Sequence, residues 1–227
     1  MNYYECNLHS LPDGSDSPSR LALVARRLGY AGIIICNYSG TGKALGAEAA
    51  KAVKGIEVAW GAELMAENPR KLHQRVASLR NRTDFLAVHG GLEKINRAAC
   101  ENPKIDLLVH PQRGGKGLGV VAAKAARDNQ VAIGLDLGPM IRFRGGTRIR
   151  WIKTVKRDLV FARKFDLDLM ITTGALSHLD MRSPRALMAL AELLGLERDE
   201  AQRALSFPGT ILELNRKRWL LPGVEML

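Results

Sequence analysis

Cysteine is scarce in this sequence and poorly placed for cross-linking: only Cys6, Cys36 and Cys100 occur among 227 residues. An odd number of distant thiols suits neither a disulfide framework nor a Cys-x-x-Cys metal site, so reduced thiols in a cytoplasmic protein are expected. Long apolar runs are missing too. No stretch approaches the ~20 consecutive apolar residues of a spanning helix, and no membrane role is expected. Residues 1–10 carry Asn2, Glu5, Asn7 and His9 where a secretory leader would need a basic start and an apolar run. Acidic residues are the minority charge, 23 against 34 Lys and Arg, for a net charge of +11 and a pI near 9.9. Such an excess favours a polyanionic partner, nucleic acid or an anionic surface; the competing reading is a simple solubility effect.

Several catalytic signatures are absent or broken. Ser39-Gly40-Thr41-Gly42-Lys43-Ala44 looks like a phosphate-binding P-loop, but Asn37 stands at its first glycine and Ala44 where Ser or Thr would meet Mg²⁺. Gly114-Gly115-Lys116-Gly117-Leu118-Gly119 is glycine-rich, yet no acid follows at the ribose-binding spacing of a dinucleotide fold. No Gly-x-Ser-x-Gly elbow offers a hydrolase nucleophile.

What is present is a repeated unit of short apolar run, polar turn and amphipathic helix, over one domain spanning residues 1–227. Strands are expected at 3–8, 32–37, 55–60, 85–89, 107–110, 131–137 and 169–173. Ile33-Ile34-Ile35-Cys36 is apolar on both faces, the mark of a parallel strand covered on both sides. Helical spacing joins Leu21, Val24, Ala25 and Leu28, then Ile152, Val155, Leu159 and Ala162, then Leu187, Leu190, Ala191 and Leu194. Ser183-Pro184 reads as an N-cap and first turn, Gly195 as a stop. Two short helices are expected at the end, one before Ser206 and one from Pro208. Strict βα alternation allows an open doubly wound sheet or a closed barrel. Seven strands in this length favour an α/β, TIM-like (βα)-repeat barrel, with function on the rim at the C-terminal strand ends.

Four of the five histidines (His9, His89, His110 and His178) fall at or just after an expected strand, while His73 reads as a surface residue. With Glu57 they could ligate a hydrolytic metal. Metal centres want several carboxylates, however, and the first strand offers Asn7 where a His-x-His pair would begin, while Thr172-Thr173-Gly174-Ala175 ends the last strand without an acid. The expectation from these residues is therefore no bound metal and no catalytic residue, with the histidines structural or in contact with RNA. The basic turns carry the stronger signal. No acid lies between Asp106 and Asp128, or between Asp136 and Asp158. Arg113, Lys116, Arg142, Arg144, Arg148 and Arg150 are the expected phosphate contacts, with Phe143 and Trp151 interleaved as possible stacking platforms. Gly145 and Gly146 would let a loop follow a sugar-phosphate chain. The competing reading makes Lys153, Lys156 and Arg157 the wet side of a helix and Trp151 part of the core.

Ordered along the chain are Tyr4-Glu5-Cys6-Asn7-Leu8-His9, Gly55-Ile56-Glu57-Val58, Val88-His89-Gly90-Gly91 and Asp106-Leu107-Leu108-Val109-His110. They are followed by Thr173-Gly174-Ala175, Met181-Arg182-Ser183-Pro184-Arg185-Ala186-Leu187 and Ile211-Leu212-Glu213-Leu214-Asn215. In these segments, spread over nearly the whole chain, the sequence resembles the archaeal ribonuclease P protein component 3 family, related to the thirty-kilodalton subunit of the eukaryotic enzyme. The resemblance implies a barrel akin to the PHP phosphoesterases with metal ligands partly lost. It also implies membership of the ribonucleoprotein that removes the 5′ leader of precursor tRNA, where a catalytic RNA holds the Mg²⁺ ions and this chain supports assembly. A second protein subunit, component 2, is the expected partner in a heteromeric module. The rival expectation is an autonomous PHP-type metal-dependent phosphoesterase using His9, Glu57, His89 and His110.

Overall fold

A computed structural model describes residues 1–38, 47–113, 117–217, 219–221 and 224–225. Lys116 and the P-loop-like residues 39–44 lie outside the described residues. Seven parallel strands follow one another in sequence order: β1 (Tyr4–Leu8), β2 (Gly32–Tyr38), β3 (Glu57–Leu64), β4 (Phe85–His89), β5 (Leu107–Val109), β6 (Ala132–Asp136) and β7 (Leu169–Thr172). The intervening helices are α1 (Pro18–Leu28), α2 (Ala47–Lys51), α3 (Pro69–Leu79), α4 (Glu93–Cys100), α5 (Val120–Asp128), α6 (Gly138–Arg142) and α7 (Gly145–Lys164), and α8 (Pro184–Leu194) and α9 (Arg198–Arg216) follow β7. A short hairpin pairs Trp219–Leu221 with Val224–Glu225. The result is the expected TIM-like α/β barrel of seven strands, nearly closed. No helix among the described residues is long and apolar enough to cross a membrane.

Local chemistry sets the helix ends. Ser17, Asn68 and Ser183 each accept a hydrogen bond from the backbone three residues on, with Pro18, Pro69 and Pro184 next in line. Gly29 and Gly195 end their helices in the left-handed region, at φ 93° and 104°. Alternation along the strands divides the core. Tyr4, Cys6, Ile34, Cys36, Ala59, Phe85, Ala87, Leu107, Val109, Ala132 and Met170 fill the barrel, while Ile33, Ile35, Leu86, Val88, Leu108 and Ile133 pack outward onto helices.

Three local expectations need correction. β3 starts at Glu57 and runs on to Leu64, because Gly61 continues the strand instead of breaking it; the bare glycine faces Cys36 and Phe85 where a Cβ would collide. Where two short helices are expected after α8, one long helix, α9, is found. Pro208 sits inside α9 at a local cost of about 3 kcal/mol, which is offset because Ala204, Leu205, Pro208 and Leu212 are all buried against the barrel. Third, the loop expected at Gly145 and Gly146 is helical: both glycines, with Arg148 and Arg150, form the first turns of α7, whose buried stripe is Trp151, Val155, Leu159 and Ala162.

Helix α9 forms the floor at the N-terminal strand ends. The Tyr4 ring is held between Gly32 and Gly209, where no Cβ would fit. Asn215 donates to Asp106 (3.0 Å), which also accepts from Arg80 (2.7 Å) and the Leu86 amide (2.7 Å).

The seam between β1 and β7 is closed by a side chain. The wholly buried Glu5 accepts from the Thr173 amide at 2.9 Å and lies 2.9 Å from the Thr172 hydroxyl, which also meets the Cys6 carbonyl. Its other oxygen lies 3.0 Å from the Tyr30 hydroxyl, which is also 2.8 Å from the Arg182 carbonyl. Tyr30 has one proton and the carbonyl can only accept, so a protonated Glu5 that donates to Tyr30 satisfies the set best. Consistently, burial, augmented by the charge of Asp136, pushes Glu5 up to about 7 against those hydrogen bonds. Its folded pKa thus exceeds the ordinary 4.5. This contribution to stability is fully present below pH 4.5 and is lost as pH rises through about 7. Glu5→Gln reproduces the protonated form and should flatten that decline, which is on the order of 3 kcal/mol at most. Denaturant melts from pH 4.5 to 8 check it; an unchanged pH dependence would remove Glu5 as the cause.

Candidate functional site at the barrel mouth

The same alternation that fills the barrel aims three polar side chains into its C-terminal end: Glu63 on β3, His89 on β4 and Asp136 on β6. His9 and His110 follow β1 and β5. Asn7 and His110 adopt left-handed backbone, at φ 57° and 53°. Such conformations are uncommon outside glycine and collect at functional sites, though asparagine tolerates them well.

Glu63 is the hub. It is wholly buried and its two oxygens meet Asn7 Nδ2 (2.8 Å), His9 Nε2 (3.2 Å) and His89 Nδ1. Burial alone would raise this carboxyl; the hydrogen bonds from His89 and His9 outweigh it and hold Glu63 well below the ordinary carboxylate range. The other nitrogen of His89 meets the Arg113 guanidinium. A guanidinium only donates, so His89 Nε2 accepts and Nδ1 carries the proton to Glu63. The chain Glu63–His89–Arg113 is thereby fixed in tautomer and direction. His9 stacks on Tyr38 with ring centroids 4.2 Å apart, and among the described residues its Nδ1 has no partner.

Asp136 is the second acid. Its carboxyl accepts from the Gly138 amide (2.8 Å) and lies 3.7 Å from His110 Nδ1. Burial raises Asp136 and lowers His110, each away from the charged form. Gly174, at φ 51°, passes so close that a Cβ would sit 3.2 Å from this carboxyl.

These acids overturn the expectation that the imidazoles lack anionic company: Glu63 and Asp136 supply it. Glu57, by contrast, lies at the opposite end of β3, bonded to Tyr4 (2.7 Å) and Arg216 on the floor, so it has no part in the mouth. Of the four histidines, His178 is tied to Asp16 at 2.8 Å in the adjoining loops, and Asp16 also accepts from the His178 amide and Ser177. The Glu63 signal was present in the sequence as alternation running past Gly61. The Asp136 signal was an acid ending an apolar strand.

Glu63, His89 and His110 each offer a ligand atom within 4.8 Å of the others. Both oxygens of Glu63 and both nitrogens of His89 are nevertheless committed, one of them to a cation already in place, Arg113. A metal here would have to displace that guanidinium and break the hydrogen bonds on Glu63, so the donor set as arranged does not fit one.

Above this network opens a cleft of about 840 Å³. Arg113, Arg142, Arg150 and Lys153 line it together with Tyr38, Phe143 and Trp151. Arg142 is exposed and reaches Asp180 at 3.8 Å. Arg144 is exposed and Arg148 half-buried, and they turn onto the carbonyls of Ile141 and Phe143, both at 2.7 Å. The structure therefore gathers three of the six expected basic contacts in the cleft and sets two beside it; Lys116 is outside the described residues. Trp151 is core by burial, yet it borders the cleft, and its indole N–H has no partner among the described residues.

Comparison with known proteins follows the same lines. The model of the family described as RNase P subunit p30 matches residues 2–220. Ribonuclease P protein component 3 of Methanosarcina mazei is 42% identical over 229 residues, covering 99% of this chain and 95% of the relative. That of Haloarcula marismortui is 33% identical, covering 96% and 95%. Among solved structures, a chain of an archaeal ribonuclease P with mature tRNA superposes with a TM-score of 0.84 at 24% identity, over 98% of both chains. A histidinol phosphate phosphatase of Lactococcus lactis, solved with zinc, L-histidinol and phosphate, shares the fold at TM-score 0.58 and 13% identity, over 86% of this chain and 95% of that one. The near-complete family match and these identities over almost the full length agree, and the chain belongs to the RNase P subunit p30 family.

Proposed function

We propose that this ribonuclease P subunit binds RNA through the basic rim of its barrel and supports a catalytic RNA, without cutting RNA itself. The observation that carries this reading is the Arg113 guanidinium on His89, in the midst of the atoms that would otherwise ligate a metal. A site whose own arginine holds that position presents positive charge outward, and with Arg142, Arg150 and Lys153 it suits phosphate. In this reading the Mg²⁺ ions that cleave the 5′ leader of precursor tRNA belong to the RNA. Glu63, His9 and His89 organise the rim. The partners are the catalytic RNA, precursor tRNA within the holoenzyme, and a second protein subunit of the component 2 kind, in the cytoplasm.

Reconstitution tests it. Omitting the chain from an assembled archaeal ribonuclease P should depress precursor-tRNA cleavage, and adding it back should restore the rate. The isosteric double variant Asp136→Asn, His110→Gln should restore it equally well. A loss of about a thousandfold with that variant, on the scale of a lost catalytic group, would instead place chemistry in this chain.

The rival metal-dependent phosphoesterase draws on one observation, the clustering of Glu63, His89 and His110. It requires stoichiometric Mn²⁺ or Zn²⁺ in purified protein and turnover of a simple phosphoester that disappears in Glu63→Gln.

A further inference from the structure

We infer that the cleft at the barrel mouth takes one unstacked nucleotide unit, an aromatic base with its 5′-phosphate, and is not merely a charged surface lying along a duplex. The inference deepens the RNA-binding reading and rests on it.

Size is the first argument. A cleft of about 840 Å³ falls within the ~300–1,000 Å³ of small-molecule sites, whereas contact along a duplex backbone needs only a convex or shallow basic surface. Composition is the second. Charged and aromatic groups share the lining of the cleft: Arg113, Arg142 and Arg150 for an anion, Tyr38 and Trp151 for a flat ring. Arginine forks match phosphate oxygens, and a base withdrawn from its stack regains contact on an aromatic face, worth ~1–3 kcal/mol. The Tyr38 ring is held in place for this, stacked on the buried His9.

Unspent hydrogen-bonding capacity is the third argument. Trp151 is 9% exposed and His9 1% exposed; both residues border the cleft, and among the described residues the buried atoms Trp151 Nε1 and His9 Nδ1 have no partner. A buried polar group without a partner is costly, so such groups are expected to be satisfied by something that enters. A base edge offers both donors and acceptors, while phosphate alone could satisfy only the donor. Helix α7 adds its positive end. It begins at Gly145 with no acid in its first turn, and Thr147 and Arg150 of its opening turns line the cleft.

The unit can be supplied by a flipped nucleotide of a bound RNA or by a free mononucleotide, and titration of the full chain separates these. Binding of 5′-AMP, adenosine and inorganic phosphate would be followed by tryptophan fluorescence and calorimetry. A single-stranded oligonucleotide would be titrated in parallel. 5′-AMP is expected to bind at least about tenfold more tightly than adenosine or phosphate, as one stacked base plus one arginine-held phosphate requires. Arg142→Gln and Tyr38→Ala should each weaken it by about tenfold, while Arg97→Gln, on the outer helix α4, should leave it unchanged. Trp151→Phe keeps a stacking ring if truncation at this buried position compromises folding, and should lower base affinity through the lost N–H alone. Equal binding of phosphate and 5′-AMP would reduce the cleft to an anion site and overturn the inference. So would 5′-AMP binding that ignores Arg142 and Tyr38. If 5′-AMP fails to bind while Arg142→Gln and Arg150→Gln still weaken the oligonucleotide, the nucleotide pocket falls and the RNA surface stands. If 5′-AMP binds as expected but those variants leave oligonucleotide affinity untouched, the pocket stands for free nucleotide and the RNA surface falls.

Discussion

Glu63→Ala is expected to cost the fold about 3–5 kcal/mol, the usual loss when one partner of a buried charged network is removed. The deletion strands Asn7 Nδ2 and the proton-bearing nitrogens of His9 and His89, and it leaves the Arg113 guanidinium on His89 with no buried anion behind the imidazole to balance its charge. For a chain of this length the melting temperature should fall by about 10 °C or more. Acid should act through the same residue. The folded pKa of Glu63 is depressed below its ordinary 4.5, so its contribution is fully present above that pH and is lost as pH falls below it. Glu63→Gln keeps the shape but not the charge and should remove much of that acid sensitivity. Thermal melts of the three proteins from pH 3 to 6 decide the matter. A Glu63→Ala protein melting within about 2 °C of the parent would mean the network is ornamental.

Neutralising the cleft should strike binding as hard as Glu63 strikes stability. Each arginine that replaces a counterion at a phosphate adds about 0.9 to the log–log salt slope on duplex and about 0.7 on single strands. The triple variant Arg113→Gln, Arg142→Gln, Arg150→Gln should therefore flatten the slope by about two to three units. The double variant Arg144→Gln, Arg148→Gln should do less, because those guanidiniums are turned onto the backbone of their own turn. Equilibrium binding of the catalytic RNA from 50 to 400 mM salt, on the order of the range where such slopes are read, gives both numbers. Equal slopes for the triple variant and the parent would remove these arginines from the RNA surface.

Much of this architecture is legible in the residues because burial and period are local signals. Ile33-Ile34-Ile35-Cys36 can only be a covered strand, and Ser183-Pro184 with Gly195 brackets α8 within its observed ends. The basic rim is legible for the same reason: a charge run stays a charge run however the chain folds. The organising centre is legible only in part. The alternation that leads to Glu63 runs past Gly61, and the β2–β3 register, Tyr38 opposite Glu63, carries the strand that far. Ending the expected strand at Trp60 left Glu57 as its carboxylate, and pairing places Glu57 at the far end of the barrel on Arg216. The one-piece α9 was hidden by Pro208, whose helix-breaking tendency is local while the burial that overrides it is tertiary.

The account stands on the barrel mouth being the face that meets RNA. Ultraviolet crosslinking within assembled ribonuclease P, with adducts mapped on this chain by mass spectrometry, tests that most directly. Adducts are predicted on the segments that line the cleft, at His110–Arg113 and from Arg142 through Thr154, with Tyr38, Phe143 and Trp151 as the reactive rings. Adducts confined to the floor helix α9 or to the outer faces of α3 and α4, with none at the mouth, would contradict it.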